Sequence, residues 1–204
     1  MNKKTENLGR PMAESKTRTI LNVRHLTLVG LMTAVICVLG PLAIPLPVSP
    51  VPISLGTLGI YLAVSVLGMK LGTLSVVTYI LLGLMGVPVF VSFSAGPGKL
   101  FGPTGGYILG YVFLALICGA FVERFLHRPV PCFLGMILGT GICYAFGTVW
   151  LMFQMDLTFL QALLTCVVPY IPGDLAKIVL AMTGGLQVRK RLVRAGFFSA
   201  GGKP

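Results

Sequence analysis

Asp174 and Lys177 stand three residues apart in PYIPGDLAKIVLA (169–181), a stretch otherwise built of apolar residues, glycine and proline. On a helix, positions i and i+3 share a face, so the two side chains meet. Placing either ion near the centre of a bilayer costs about 2.5–3.5 kcal/mol, so two in one turn require compensation. A structural ion pair supplies part of it, with Asp174 also helping to cap a helix opened by Pro172. The same two groups can serve a ligand: the carboxylate accepts N–H groups and the ammonium donates to an oxygen. Both roles are compatible, because the residues can pair with each other when no ligand is bound.

A second candidate lies in SFSAGPGKLFGPTGGYILG (92–110). Pro103 and Thr104 make a good helix start, and free N–H groups at such an end attract anions. With Lys99 nearby, that end can cradle a ligand carboxylate, and Gly105 and Gly106, followed by Tyr107, leave the approach open. The glycines are not a dinucleotide fingerprint, since no strand precedes them and their spacing is wrong. The chain has no GxxxxGK[ST] loop for ATP and no HExxH. Its two histidines, His25 and His127, lie at the ends of apolar runs, and its five cysteines form no CxxC pair and behave as small hydrophobes. No metal site or disulfide framework is expected. One acid with one or two lysines is too poor in cations for a nucleotide and suits a small, nearly neutral or monoanionic ligand.

The elements that position these residues are apolar runs. Of 204 residues, 55% are hydrophobic and only 10% charged, with a mean hydropathy of +0.92; soluble chains carry about 25% charge. Spans are expected at 26–44, 54–69, 71–91, 104–122, 131–153 and 171–187, with 157–168 too short to cross and read as an interfacial or re-entrant helix. The first run, behind a basic tail, has the shape of a secretory signal, but no small-x-small cleavage site follows and further spans come after, so it is read as retained. The expected architecture is an all-α integral membrane bundle of six transmembrane helices (26–187) between basic tails (1–25 and 188–204).

The net charge of +11 sits beside the membrane and does not indicate nucleic acid. Six cations precede the first run, five follow the last, and Lys70, Arg124 and Arg128 fall on the same side, leaving Lys99 alone in the opposite loops. The positive-inside rule then makes both termini cytoplasmic and puts Trp150, Tyr107 and Tyr170 near the outer interface. The first outer segment, 41–54, holds five prolines and is expected to be extended and stiff, either a spacer or a lid. Small residues four apart recur at Gly30/Ala34, Gly68/Gly72, Gly106/Gly110 and Gly135/Gly139, a pattern for close helix packing. Gly30/Ala34, on the cytoplasmic half of the first span, is also placed to dock a partner.

VPISLGTLGIYLA (51–63), GPTGGYILG (102–110) and PYIPGDLAKIVLA (169–181) together resemble the BioY family, the biotin-specific substrate-binding subunits of energy-coupling factor transporters. The resemblance covers roughly 26–187. It implies a six-helix bundle in the cell membrane, an outward-facing biotin pocket under a loop lid, and Asp174 and Lys177 as ligands of the vitamin. A polar position after the third span, often Asn in the family, falls at Ser92, and Lys99 stands where the family usually has an apolar residue. The resemblance also implies no cofactor in this chain, a transmembrane coupling subunit and two cytoplasmic ATPases as partners, and a docking AxxxA pattern best matched by Gly30-x-x-x-Ala34. Biotin suits the residues: a ureido group for the acid and lysine, apolar rings for walls such as Phe90, Phe93 and Phe101, and a carboxylate for the helix start. The alternatives are another small vitamin on the same scaffold, an intramembrane hydrolase pairing Lys177 with Ser92 or Ser94, or a passive channel.

Overall fold

The computed structural model describes residues 23–44 and 52–197. The tip of the proline-rich segment (45–51), most of the expected leading tail (1–22) and the end of the closing tail (198–204) lie outside the described residues. Within them, the long helices are α1 (Val23–Leu39), α2 (Gly56–Leu84), α4 (Gly105–Arg124), α5 (Pro129–Met155) and α7 (Ile171–Arg194). Two short helices, α3 (Pro97–Phe101) and α6 (Phe159–Cys166), precede α4 and α7. Strands β1 (Ala43–Ile44) and β2 (Ile53–Ser54) pair antiparallel, with Ala43 opposite Ser54, and close the base of the proline-rich segment.

Helix α2 replaces the two separate spans expected at 54–69 and 71–91. It is continuous from Gly56 to Leu84 except at Gly68, where φ is 82° and ψ −163°. The chain doubles back there: a Cβ on Gly72 would lie 2.9 Å from Val64 Cα, although residues eight apart on a straight helix are about 12 Å apart. Two arms, 56–67 and 69–84, therefore lie against each other. Gly68 suits the reversal because of its positive φ and because a Cβ would strike Glu123 and Arg189. Those side chains also serve the backbone at the turn. Met69 N–H donates to Glu123 Oε1 at 2.9 Å, and Arg189 Nη1 donates to Val66 O at 3.0 Å. The helix ends freed by the break thus find partners on α4 and α7.

The other boundaries shift for local reasons. The third apolar run stops being helical at Leu84 rather than 91, since Gly86 takes φ 101° and Pro88 lacks an N–H. Helix α7 runs past 187 to Arg194 and buries Arg189, which is 7% exposed. Among the described residues, α2, α4, α5 and the α6–α7 stretch are long and apolar enough to cross a membrane, and α1 is a shorter apolar helix.

Helix α2 is central, packing against α1, α4 and α7, while α5 packs on α4. The core joins Ile36, Tyr61, Val64, Leu114, Met136 and Ile178. The outside is also apolar, with Leu31, Leu138, Phe153 and Leu180 exposed. In lipid, such helices associate through close packing rather than through expulsion of water. The small residues provide that closeness: Gly106 abuts Trp150, Gly110 Cys143, Gly135 Phe121 and Gly139 Cys118. The Gly30/Ala34 pair differs. Both residues are exposed, and a Cβ on Gly30 would meet nothing within 4 Å.

Candidate binding site

Pro172, next to the first residue of α7, starts a helix whose first turn carries Asp174 and whose second carries Lys177. Both side chains are buried, and Lys177 Nζ lies 2.8 Å from Asp174 Oδ1. Lys177 also donates to Ser54 O at 2.7 Å and to Thr57 Oγ1 at 3.0 Å. An ammonium has three N–H donors, so all three are engaged within the protein. Thr57 Oγ1 sits 3.4 Å from the same Asp174 oxygen. On the other side of the carboxylate, Tyr144 OH donates to Asp174 Oδ2 at 2.5 Å. Each carboxylate oxygen has two acceptor sites, so Oδ2 retains one.

Local sequence places these partners. Ser54 ends β2 and its Oγ accepts from the N–H of Gly56, the first residue of α2, at 2.9 Å while donating to Gly40 O at 3.0 Å. Thr57 follows in the first turn of α2. Tyr144 lies on α5, whose far end also holds the loop before α4: Trp150 Nε1 donates to Gly102 O at 3.0 Å and Gln154 Nε2 to Phe101 O at 2.6 Å.

Asp174 and Lys177 form part of the wall of a cavity that opens to the outside of the bundle. Ser54, Thr57 and Tyr144 share that wall, and Lys99 and Thr104 line it from the α3–α4 junction. Aromatic residues complete it: Tyr79, Phe90, Tyr107, Tyr111 and Tyr170. Tyr79 and Phe90 meet edge to face at 5.7 Å between centroids, a favourable ring geometry. The cavity is therefore an apolar and aromatic vessel with one acid, two lysines and several hydroxyls, the usual make-up of a small-molecule site.

Of the residues singled out in the sequence, the cavity brings together Asp174, Lys177, Tyr107, Lys99 and Phe90. Ser92, Phe93, Gly105, Gly106 and Phe101 are not among its lining residues. Ser92 and Phe93 form a turn with φ of 58° and 55°, tied by Ser92 N–H to Pro41 O at 3.1 Å; Phe93 and Phe101 are each 67% exposed. The space beside Gly105 is filled by Leu100 O, and that beside Gly106 by Trp150. These two glycines admit protein neighbours. Sequence reasoning missed Tyr144, Thr57 and Ser54. The last two lie in a quoted motif, five and two residues after Pro52, whereas Tyr144 stands in an apolar run with nothing to mark it.

Fold and cavity together define a multi-pass membrane protein with a small-molecule binding chamber at one end of its helices. The comparisons narrow the class. Residues 12–194 match the BioY family, and the chain belongs to it. It is 38% identical over 169 residues to the biotin transporter BioY of Thermotoga maritima, covering 82% of this chain and 97% of that one. It is 33% identical over 167 residues to the biotin transporter BioY2 of Lactococcus lactis, covering 82% and 91%. The crystal structure of the S-component for biotin from an ECF-type ABC transporter superposes with a TM-score of 0.77 at 34% identity, covering 82% of this chain and 92% of that one.

Proposed function

We infer that this chain is the biotin-capturing S subunit of an energy-coupling factor importer, a transport protein and not an enzyme. The observation that carries the reading is the buried Asp174–Lys177–Thr57–Tyr144 network in the wall of an apolar and aromatic cavity, in a chain of this family. Biotin's ureido group offers two N–H donors and a carbonyl. Asp174 Oδ2, with an acceptor site to spare, takes an N–H, and Lys177 reaches the carbonyl by exchanging its bond to Thr57. The aromatic walls hold the fused rings.

The α2 arms supply the second and third of six membrane crossings, so the chain begins and ends on the cytoplasmic side. The reversal at Gly68, Glu123 and Arg189 then marks the inner end, opposite the cavity. Basic segments beyond the bundle hold that end at the inner leaflet. The chain uses no cofactor of its own; a coupling subunit docked on the exposed Gly30/Ala34 face and a pair of ATPases drive transport.

The hydrolase reading loses its geometry. Lys177 donates to Asp174 and lies against a threonine and a carbonyl, while Ser94 Oγ donates to Val91 O at 2.6 Å and neither Ser92 nor Ser94 lines the cavity. A thermal-shift screen of the purified protein against a vitamin panel tests the inference. Biotin alone should raise the unfolding temperature, and a different vitamin doing so in its place would reassign the ligand.

A further inference from the structure

Helix α7 carries Asp174 and Lys177 near its start, and just past its end a turn that grips α1. Gly196 takes φ 76°. Its N–H donates to Val193 O at 3.1 Å, and the N–H of Phe197 donates to Leu192 O at 3.0 Å. These are the two bonds of a Schellman turn, in which a left-handed glycine ends the helix and brings the next residue back beside its last turn. Phe197 there meets the start of α1 twice. His25 Nε2 donates to Phe197 O at 3.1 Å, and the Arg24 guanidinium carbon lies 5.7 Å from the centre of the Phe197 ring, within cation–π range. Leu192 packs against Val29 of α1 and Val66, Leu67 and Leu71 of α2.

The grip is on one side of α1. His25, Val29, Met32 and Ile36 are spaced four, three and four apart, so they share a face, and all four are buried or half-buried. Gly30 and Ala34 stand on the other face and are exposed. A small-xxx-small face works only when two backbones come close, so the tilt and depth of α1 decide whether a partner helix can close on it. Helix α1 packs chiefly on α2, and the Phe197 turn adds a hold at its first residues. We propose that Phe197 is a positioning residue for assembly: by gripping Arg24 and His25 it fixes the inner half of α1, so that Gly30 and Ala34 are presented to the coupling subunit. This rests on the docking reading above. It also makes α7 a common mount for the ligand pair and the docking helix.

Capture of the detergent-purified protein by the coupling subunit with its two ATPases, titrated to half-maximal binding, tests the grip, with biotin affinity measured alongside by calorimetry. Phe197→Ala should weaken capture about threefold to thirtyfold, the range of a cation–π contact at a partly desolvated site, and leave biotin affinity unchanged. Arg24→Gln removes the cation from an exposed position and should weaken capture about threefold. Phe197→Tyr keeps the ring and should capture like the wild type. Unchanged capture in both Phe197→Ala and Arg24→Gln, with Gly30→Leu impaired, overturns the grip and leaves the docking face in place. Biotin affinity that falls in step with capture also overturns it, because the turn would then serve folding alone. Capture that survives Gly30→Leu removes the docking reading and the grip with it.

Discussion

Asp174 is the residue on which the site turns, because its neighbours saturate one oxygen and leave a vacancy on the other. Replacing it with asparagine keeps the shape, removes the charge and turns a donor towards the ureido donors. The expected loss is about 2–5 kcal/mol for a buried pair, or about thirtyfold to several thousandfold in biotin affinity by calorimetry. Near-native affinity in a folded Asp174→Asn protein would reduce the network to a structural ion pair. Tyr144→Phe should be milder, since it removes one hydrogen bond that orients the carboxylate: about 1 kcal/mol, or about fivefold. Lys177→Met should lower stability as well as affinity, because it strands a buried carboxylate at a cost of about 3–5 kcal/mol. The acid and the lysine were legible in the sequence because charge in an apolar run needs a reason. Tyr144 was not, because a tyrosine is at home in such a run and only the packing of α5 beside α7 gives its hydroxyl a task.

At the scale of elements, the reversal in α2 makes the sharpest prediction. Gly68→Ala forces an unfavourable φ, costing about 1–3 kcal/mol, and drives a methyl group into Glu123 and Arg189. Thermal unfolding in detergent should fall by about 5–10 °C, given about 2–4 °C per kcal/mol at this chain length. Gly30→Ala should leave the transition unchanged or raise it, because a Cβ there meets nothing and alanine is the better helix former. Equal effects at the two positions would remove the argument for the turn. The two apolar arms were visible in the sequence, split by Lys70, but the tightness of the fold between them was not. It depends on side chains from α4 and α7, more than fifty residues away. The end of the second arm was also hidden: hydropathy continues to 91, while Gly86 and Pro88 stop the helix earlier. The turn at Ser92 and Phe93 shows the same limit, since the left-handed backbone of both residues has no mark in the sequence.

For the whole molecule, the distribution of charge predicts which end faces out. Single cysteines placed at Ser94 or Gly98, in a chain whose own five are replaced, should react with an impermeant thiol reagent from outside intact cells; labelling only after permeabilisation would invert the site. Gly30→Leu should impair capture by the coupling subunit in a pull-down and spare biotin affinity. The arm 56–67 also has a bearing on depth. It rises about 18 Å, against a hydrocarbon layer of about 30 Å. Residues 59–61 and 63–68 of this arm and its turn are buried, so lipid does not reach it and the bilayer need not thin to match it. On the proposed orientation, the remaining length of about 12 Å falls above Thr57. The well is as deep as the arm is short, and lengthening that arm by one turn would raise its floor towards the rim.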